Sequence, residues 1–138
     1  MPEKPLNLLL VEDDEDDYII ILEHLMALPD ERFHVEWVSS YPEAVVEILN
    51  NHHDLLFFDY RLGMDNGIDL IREVRGRGCV TPIVMLTRYS DRFIEVKARQ
   101  AGAADFLLKR ELSPENLARV IQTALRRPAE PAGQQATG

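Results

Sequence analysis

The chain has 138 residues, 46% of them hydrophobic, which suits one domain with a single core and makes disorder the wrong default. A net charge of −9 argues against DNA or RNA as the default partner, because phosphate backbones are bound through surplus lysine and arginine. The one cysteine, Cys79, excludes an intramolecular disulfide and a cysteine metal cluster, and the short N-terminal apolar stretch is ended at once by carboxylates, so neither a secretion signal nor a membrane span is expected and the compartment is read as cytoplasmic.

In chain order, apolar runs of about five residues alternate with amphipathic segments, the pattern of repeated strand-helix units and a parallel sheet. The first strand reads LNLLLV (6–11) and is followed by a helical spacing at Tyr18, Ile21, Leu22, Leu25 and Met26. The second strand, HVEWV (34–38), has apolar and polar residues in alternation, as at a sheet edge. The helix after it carries Tyr41, Ala44, Val45, Ile48 and Leu49, with Ser40 and Glu43 as a capping box. LLFFD (55–59) and PIVMLT (82–87) are nearly continuous in apolar residues and so belong at the centre, covered on both faces. Weaker helical segments lie around 67–76 and 91–101, the latter stopped by Gly102. DFLLK (105–109) is the fifth strand, and Ser113-Pro114 opens a last helix with Leu117, Val120, Ile121, Ala124 and Leu125. These signals predict an α/β flavodoxin-like fold, a doubly wound five-stranded parallel sheet in order 2-1-3-4-5 with five helices.

Charge is unevenly divided along this pattern. Residues 1–69 hold 17 Asp and Glu against 3 Lys and Arg, a net −14, whereas residues 70–138 hold 7 against 12, a net +5. The split points to a concentrated acidic site or to two faces with different partners, a lopsided solvated surface being the plain alternative.

In open parallel sheets ligands bind beyond the carboxyl ends of the strands, where the winding direction reverses. That point lies between strands one and three, which end in Glu12-Asp13 and in Asp59. Three carboxylates gathered there would repel one another unless a hard cation joined them, and an all-oxygen set suits Mg²⁺. Strands four and five end in Thr87 and Lys109, a hydroxyl and an ammonium, and together the five residues supply the parts that phosphoryl transfer needs. No Cys-His or Ser-His pair competes. His24 and His34 fall away from these strand ends, and His52 and His53 are read as loop residues before the third strand rather than as ligands. Asp14 to Asp17 are read as acidic first-turn residues of a helix, with no chemistry assigned.

LLLVEDD, FFDYRLGMDNGIDLIREVR, PIVMLTRYSD and AGAADFLLK together closely resemble the receiver domain of two-component response regulators, and the resemblance covers about residues 5 to 127. It implies that Asp59 accepts a phosphoryl group from a phosphohistidine on a sensor histidine kinase or a histidine phosphotransfer protein. It also implies that Glu12, Asp13, Asp59 and the backbone carbonyl of Arg61 hold Mg²⁺, that Lys109 contacts the phosphoryl oxygens, and that Thr87 moves to hydrogen-bond them. Phe106 stands at the aromatic position that rotates with Thr87, coupling the site to the face of helix 4, strand 5 and helix 5.

Several positions depart from the family pattern. Gly63 replaces a common proline and is expected to loosen its loop, Arg88 replaces a small residue beside the switch threonine, and Arg110 replaces a proline that follows the lysine through a cis bond, a geometry not expected without proline. Phe106 lacks the hydroxyl of the commoner tyrosine, which makes any switch there steric. Arg61 and Tyr89, each two positions past a site residue, are expected with Arg88 to tune the lifetime of the aspartyl phosphate.

Residues 1–127 are therefore assigned to the receiver and 128–138, rich in Pro, Ala, Gly and Gln, to a flexible tail or the start of a linker. The expected role is signal transduction through a partner or attached output domain, with at most self-dephosphorylation as catalysis. No helix-turn-helix module follows residue 127 in this sequence, so direct nucleic-acid binding is not expected, and neither is a membrane role. Basic residues on the last two helices are compatible with an acidic partner or a homodimer. Two other readings stand beside this one: a scaffold of the same fold that is never phosphorylated, and a Mg²⁺-dependent phosphohydrolase. Haloacid-dehalogenase-like enzymes carry a second aspartate two positions after the first, and Arg61 stands there instead.

Overall fold

The computed structural model describes residues 5–29 and 32–126. Five strands, β1 (Leu6–Val11), β2 (Phe33–Val38), β3 (Leu55–Asp59), β4 (Ile83–Thr87) and β5 (Asp105–Leu108), pair in parallel in the order β2-β1-β3-β4-β5. The helices between and after them are α1 (Glu15–Met26), α2 (Tyr41–Asn50), α3 (Gly67–Gly76), α4 (Arg92–Ala101) and α5 (Pro114–Arg126). This is the expected flavodoxin-like α/β fold and strand order. The assigned tail, 128–138, lies outside the described residues.

Period-two alternation divides the core into two layers. Leu8, Leu10, Leu55, Phe57, Val84 and Leu86 face Ile21 and Leu25 of α1 and Leu117, Val120, Ile121 and Ala124 of α5. Their sequence neighbours Leu9, Val11, Leu56, Phe58, Ile83 and Met85 face α2, α3 and α4 instead. Residues of β3 and β4 are buried without exception, which is why those segments read as unbroken apolar runs.

Local chemistry fixes the helix ends. Asp14 caps α1 by accepting from the N–H groups of Asp16 and Asp17, and Ser40 caps α2 by accepting from that of Glu43. Glu43 reaches back to the Ser40 hydroxyl at 3.3 Å and the Ser39 N–H at 3.4 Å, so the capping box closes one residue earlier than its usual form. Gly102 ends α4 at a φ of 124°. The two weaker helical segments form because tertiary contacts hold them. Arg75 of α3 donates to the carbonyls of Cys79, Thr81 and Gly102 at 3.0, 2.7 and 2.9 Å, tying the end of α3 to the approach to β4 and the end of α4.

Fifth-strand pairing stops at Leu108, one residue short of the expected limit, and Lys109–Glu111 form a single 3₁₀ turn. No peptide bond is cis among the described residues, in keeping with Arg110 in place of proline. No described helix is long and apolar enough to cross a membrane.

Candidate functional site

The parallel arrangement sends the ends of β1, β3, β4 and β5 to one edge of the sheet. In register, Val11 pairs with Phe58, Asp59 with Leu86 and Thr87 with Leu108, so Glu12, Asp59, Thr87 and Lys109 emerge as near neighbours. Lys109 is the hub. Its Nζ lies 2.8 Å from Glu12 Oε1, 2.8 Å from Asp17 Oδ2 and 3.1 Å from Asp59 Oδ1, with only 7% of its side chain exposed.

Burial sets the electrostatics. Glu12 is fully buried, and desolvation together with the Asp59 charge pushes its carboxyl up to about 8 despite Lys109. Asp59 is also raised, first by burial, with Lys109 pulling the other way. Lys109 stays firmly charged, because the carboxylates outweigh its own desolvation. One ammonium does not neutralise this set.

Glu12, Asp13 and Asp59 can bring one oxygen each to within 4.8 Å of one another. Glu12 Oε1 is buried with no well-directed hydrogen bond, although the ammonium is close. Hard oxygen donors and excess negative charge fit a hard divalent cation.

The cleft beyond this edge encloses about 250 Å³. Asp59, Asp13, Arg61, Arg88 and Tyr89 line it, whereas Thr87 and Lys109 lie behind its wall. Thr87 is fully buried and its Oγ1 accepts from the Tyr89 N–H at 3.0 Å, which anchors the turn carrying Arg88 and Tyr89. Tyr89 packs its ring edge-on to Tyr60, centroids 6.0 Å apart. Phe106 is partly buried against the α2–α4 layer of the core.

Arg88 does not hang free in the cleft. Its guanidinium pairs with Asp17, and Asp14 lies 3.7 Å away, so the turn after β4 is tied to α1. Asp17 therefore does more than favour a helix N-terminus, contrary to the expectation from sequence: it joins Lys109 and Arg88 through the same oxygen. Nothing in the acidic run singles it out, because only the rotation of α1 on the sheet turns Asp17 inward while Asp16 stays exposed.

Gly63 also departs from expectation. At a φ of 64° it allows the tight turn of a two-residue ladder, Arg61–Leu62 with Asp65–Asn66, and its N–H donates to Asp13 Oδ2 at 2.8 Å. Proline has no N–H to give. The glycine adds a tether between this loop and the acidic pair.

Gly67 was not singled out by sequence, yet it sits against the central strand. A Cβ there would lie 2.5 Å from the Asp59 carbonyl oxygen and 3.1 Å from Met85 Cε. Gly67→Ala is expected to push the end of β3 and the start of α3 apart, costing about 1–3 kcal/mol in urea unfolding. A variant as stable as the parent would show that this approach is not tight.

The family model "Response regulator receiver domain" matches residues 8–122. The alginate biosynthesis transcriptional regulatory protein AlgB of Pseudomonas aeruginosa is 36% identical over 115 residues, which span 83% of this chain and 25% of that protein. The two-component response regulator PhoP of the same species is 35% identical over 105 residues, 75% of this chain and 45% of that one. A crystallised chain from Chloroflexus aurantiacus J-10-fl superposes with a TM-score of 0.81 at 30% identity, over 90% of this chain and 100% of its own. A CheY-like receiver domain protein from Methanospirillum hungatei JF-1 shares the fold at a TM-score of 0.77 and 21% identity, over 98% and 100% of the two chains. This chain spans about a quarter of the first curated relatives it matches.

Proposed function

The chain belongs to the response regulator receiver domain family, and from that premise we propose that Asp59 is its phosphoryl acceptor, served by a Mg²⁺ site and a lysine, in a switch read by a downstream partner or attached domain. The observation that carries this reading is one ammonium, Lys109, within 3.1 Å of carboxylates from the ends of β1 and β3 and from α1, behind an open cleft that those carboxylates line.

An Asp59 oxygen attacks the phosphorus of a phosphohistidine on a sensor kinase or phosphotransfer protein. A P–O bond forms as the P–N bond breaks and the imidazole leaves. Glu12, Asp13, Asp59 and the Arg61 carbonyl would hold Mg²⁺, which when bound supplies charge neutralisation for the phosphoryl oxygens. Lys109 compensates the same developing charge from below, in a setting where water is mostly excluded. Thr87 lies one residue past the register position of Asp59 on the neighbouring strand, suited to donate its hydroxyl to an oxygen of the acquired group. Such a movement would carry Phe106, which lies on β5 two residues before the register partner of Thr87, and so alter the face formed by α4, β5 and α5. Catalysis by the domain itself is limited to loss of its own phosphoryl group.

Mass spectrometry after incubation with Mg²⁺ and a small acyl phosphate tests the reading. One phosphoryl adduct, absent when the divalent cation is chelated, is expected. A chain that takes no phosphoryl group under these conditions is a scaffold, and one that turns over many phosphoesters is a hydrolase.

Arg61 and Tyr89 line the cleft, and in this reading they shield the acyl phosphate from water. Arg61→Ala and Tyr89→Ala are each expected to speed dephosphorylation roughly 3- to 10-fold, a change of about 0.7–1.4 kcal/mol in barrier. Decay of labelled protein at the parental rate in both variants would remove them from this role.

A further inference from the structure

A second group of ligand-type side chains gathers where β2, α2 and the turn before β3 meet. His53, with 3% of its side chain exposed, places Nε2 at 2.9 Å from Glu36 Oε1 and 3.7 Å from Glu47 Oε2. The three residues can each bring one ligand atom to within 4.8 Å of the others. His34 precedes Glu36 by two residues on the same face of edge strand β2, and its Nε2 lies 4.0 Å from the second oxygen, Glu36 Oε2. Asn51 Nδ2 holds Glu47 Oε2 at 3.0 Å.

The site is remote from the phosphoryl cleft. His53 comes two residues before β3 and Asp59 ends it, so the length of the strand separates them by roughly 20 Å at about 3.3 Å per residue.

We propose that Glu36, Glu47 and His53, with His34 completing the set, form a second cation site that takes a borderline divalent transition ion such as Zn²⁺. Imidazole and carboxylate together suit Zn²⁺ and its neighbours in the first transition row, whereas Mg²⁺ prefers oxygen alone. Metal-ligand distances of about 2.0–2.2 Å place two donors of a tetrahedral site about 3.3 Å apart. The separations of 2.9 and 3.7 Å bracket that value for Glu36, Glu47 and His53, and His34, 4.0 Å from Glu36, has to swing its side chain to join them. Glu36, Glu47 and His34 keep 43%, 28% and 65% of their side chains exposed, which leaves a path for the ion. Salt bridges alone would also join these side chains, His34 to Glu36 and His53 to both carboxylates, and titration with Zn²⁺ separates the two readings. Occupancy would staple the edge strand β2 to α2 and to the start of β3.

Calorimetric titration of Zn²⁺ into the parent, the Glu36→Gln/Glu47→Gln pair and the Asp13→Asn/Asp59→Asn pair tests the proposal. The parent and the cleft variant should each bind one Zn²⁺ here, with Kd on the order of micromolar or tighter. The glutamine pair should bind it at least about 10- to 100-fold more weakly. Both glutamates are partly exposed, so that variant should fold, and a parental melting curve verifies it. On adding Zn²⁺, the imidazole carbon-bound protons of both His34 and His53 should shift in NMR spectra of the parent. A parent that binds no Zn²⁺, a glutamine pair that binds as tightly as the parent, binding lost only in the cleft variant, or unmoved resonances for these two histidines would overturn the proposal.

Discussion

Asp59→Asn is expected to remove the phosphoryl adduct altogether while leaving a folded protein that, in the absence of divalent cations, melts at higher temperature than the parent near neutral pH. Asparagine keeps the volume of the side chain but offers a poor nucleophile, so uptake from an acyl phosphate should fall below detection. The effect on stability follows from charge. Burial is the main cause of the raised Glu12 carboxyl, and the Asp59 charge is the next. Because Glu12 holds its proton more tightly in the folded state, about 8 against an ordinary 4.5, the folded chain binds more protons than the unfolded one between those values. Stability contributed by this group is therefore present at low pH and is lost as pH rises through that window. Removing the Asp59 charge lowers the Glu12 carboxyl and flattens the loss. Adducts measured by mass and melting curves taken from pH 5 to 8 check both halves. An adduct persisting on the variant would place the acceptor elsewhere, and an unchanged pH slope would mean that Asp59 and Glu12 are not coupled.

Phe57→Ala and Phe58→Ala are each expected to cost about 3–5 kcal/mol, and the double variant should not fold. The two rings are adjacent in sequence and fully buried, but they belong to different layers, Phe57 against α1 and α5 and Phe58 against α2 to α4. Neither layer can relax into the hole left in the other, because the β3 backbone and its pairing with β1 and β4 stand between them. Separate losses of this size add to about 6–10 kcal/mol, comparable with the roughly 5–15 kcal/mol that holds a domain together. Urea titrations should show midpoints lowered with little change in slope for each single variant, and no cooperative transition for the double. A loss below about 1 kcal/mol for either would mean that its layer repacks.

The fold was legible because the strand segments carry two signals at once. LLLV, LLFF and IVML are apolar on both faces, which only a covered central strand requires, whereas the second strand carries His34 and Glu36 on one face. Element ends were legible at Ser40, whose side chain satisfies the helix backbone, and at Gly102, whose positive φ ends α4, whereas the capping role of Asp14 was not separated from the acidic run around it. The helical signal of α3 and α4 was weaker, although their limits match the structure, because contacts such as those of Arg75 with carbonyls 4, 6 and 27 residues away help to hold them.

By itself the sequence determined the strand order and which residues stand at the strand ends: Glu12, Asp13, Asp59, Thr87 and Lys109. Alternation and run length are local properties, and a parallel sheet sends all its carboxyl ends to one edge whatever the loops do. Only the tertiary structure decided the partners around them. Asp17 meets Lys109 and Arg88 because α1 settles on the sheet in one rotation, Gly67 is confined because α3 starts against Asp59, and His53 meets Glu36 and Glu47 because β2, α2 and β3 converge there. Each of these depends on the packing of elements distant in sequence, and no residue pattern within a single element records it.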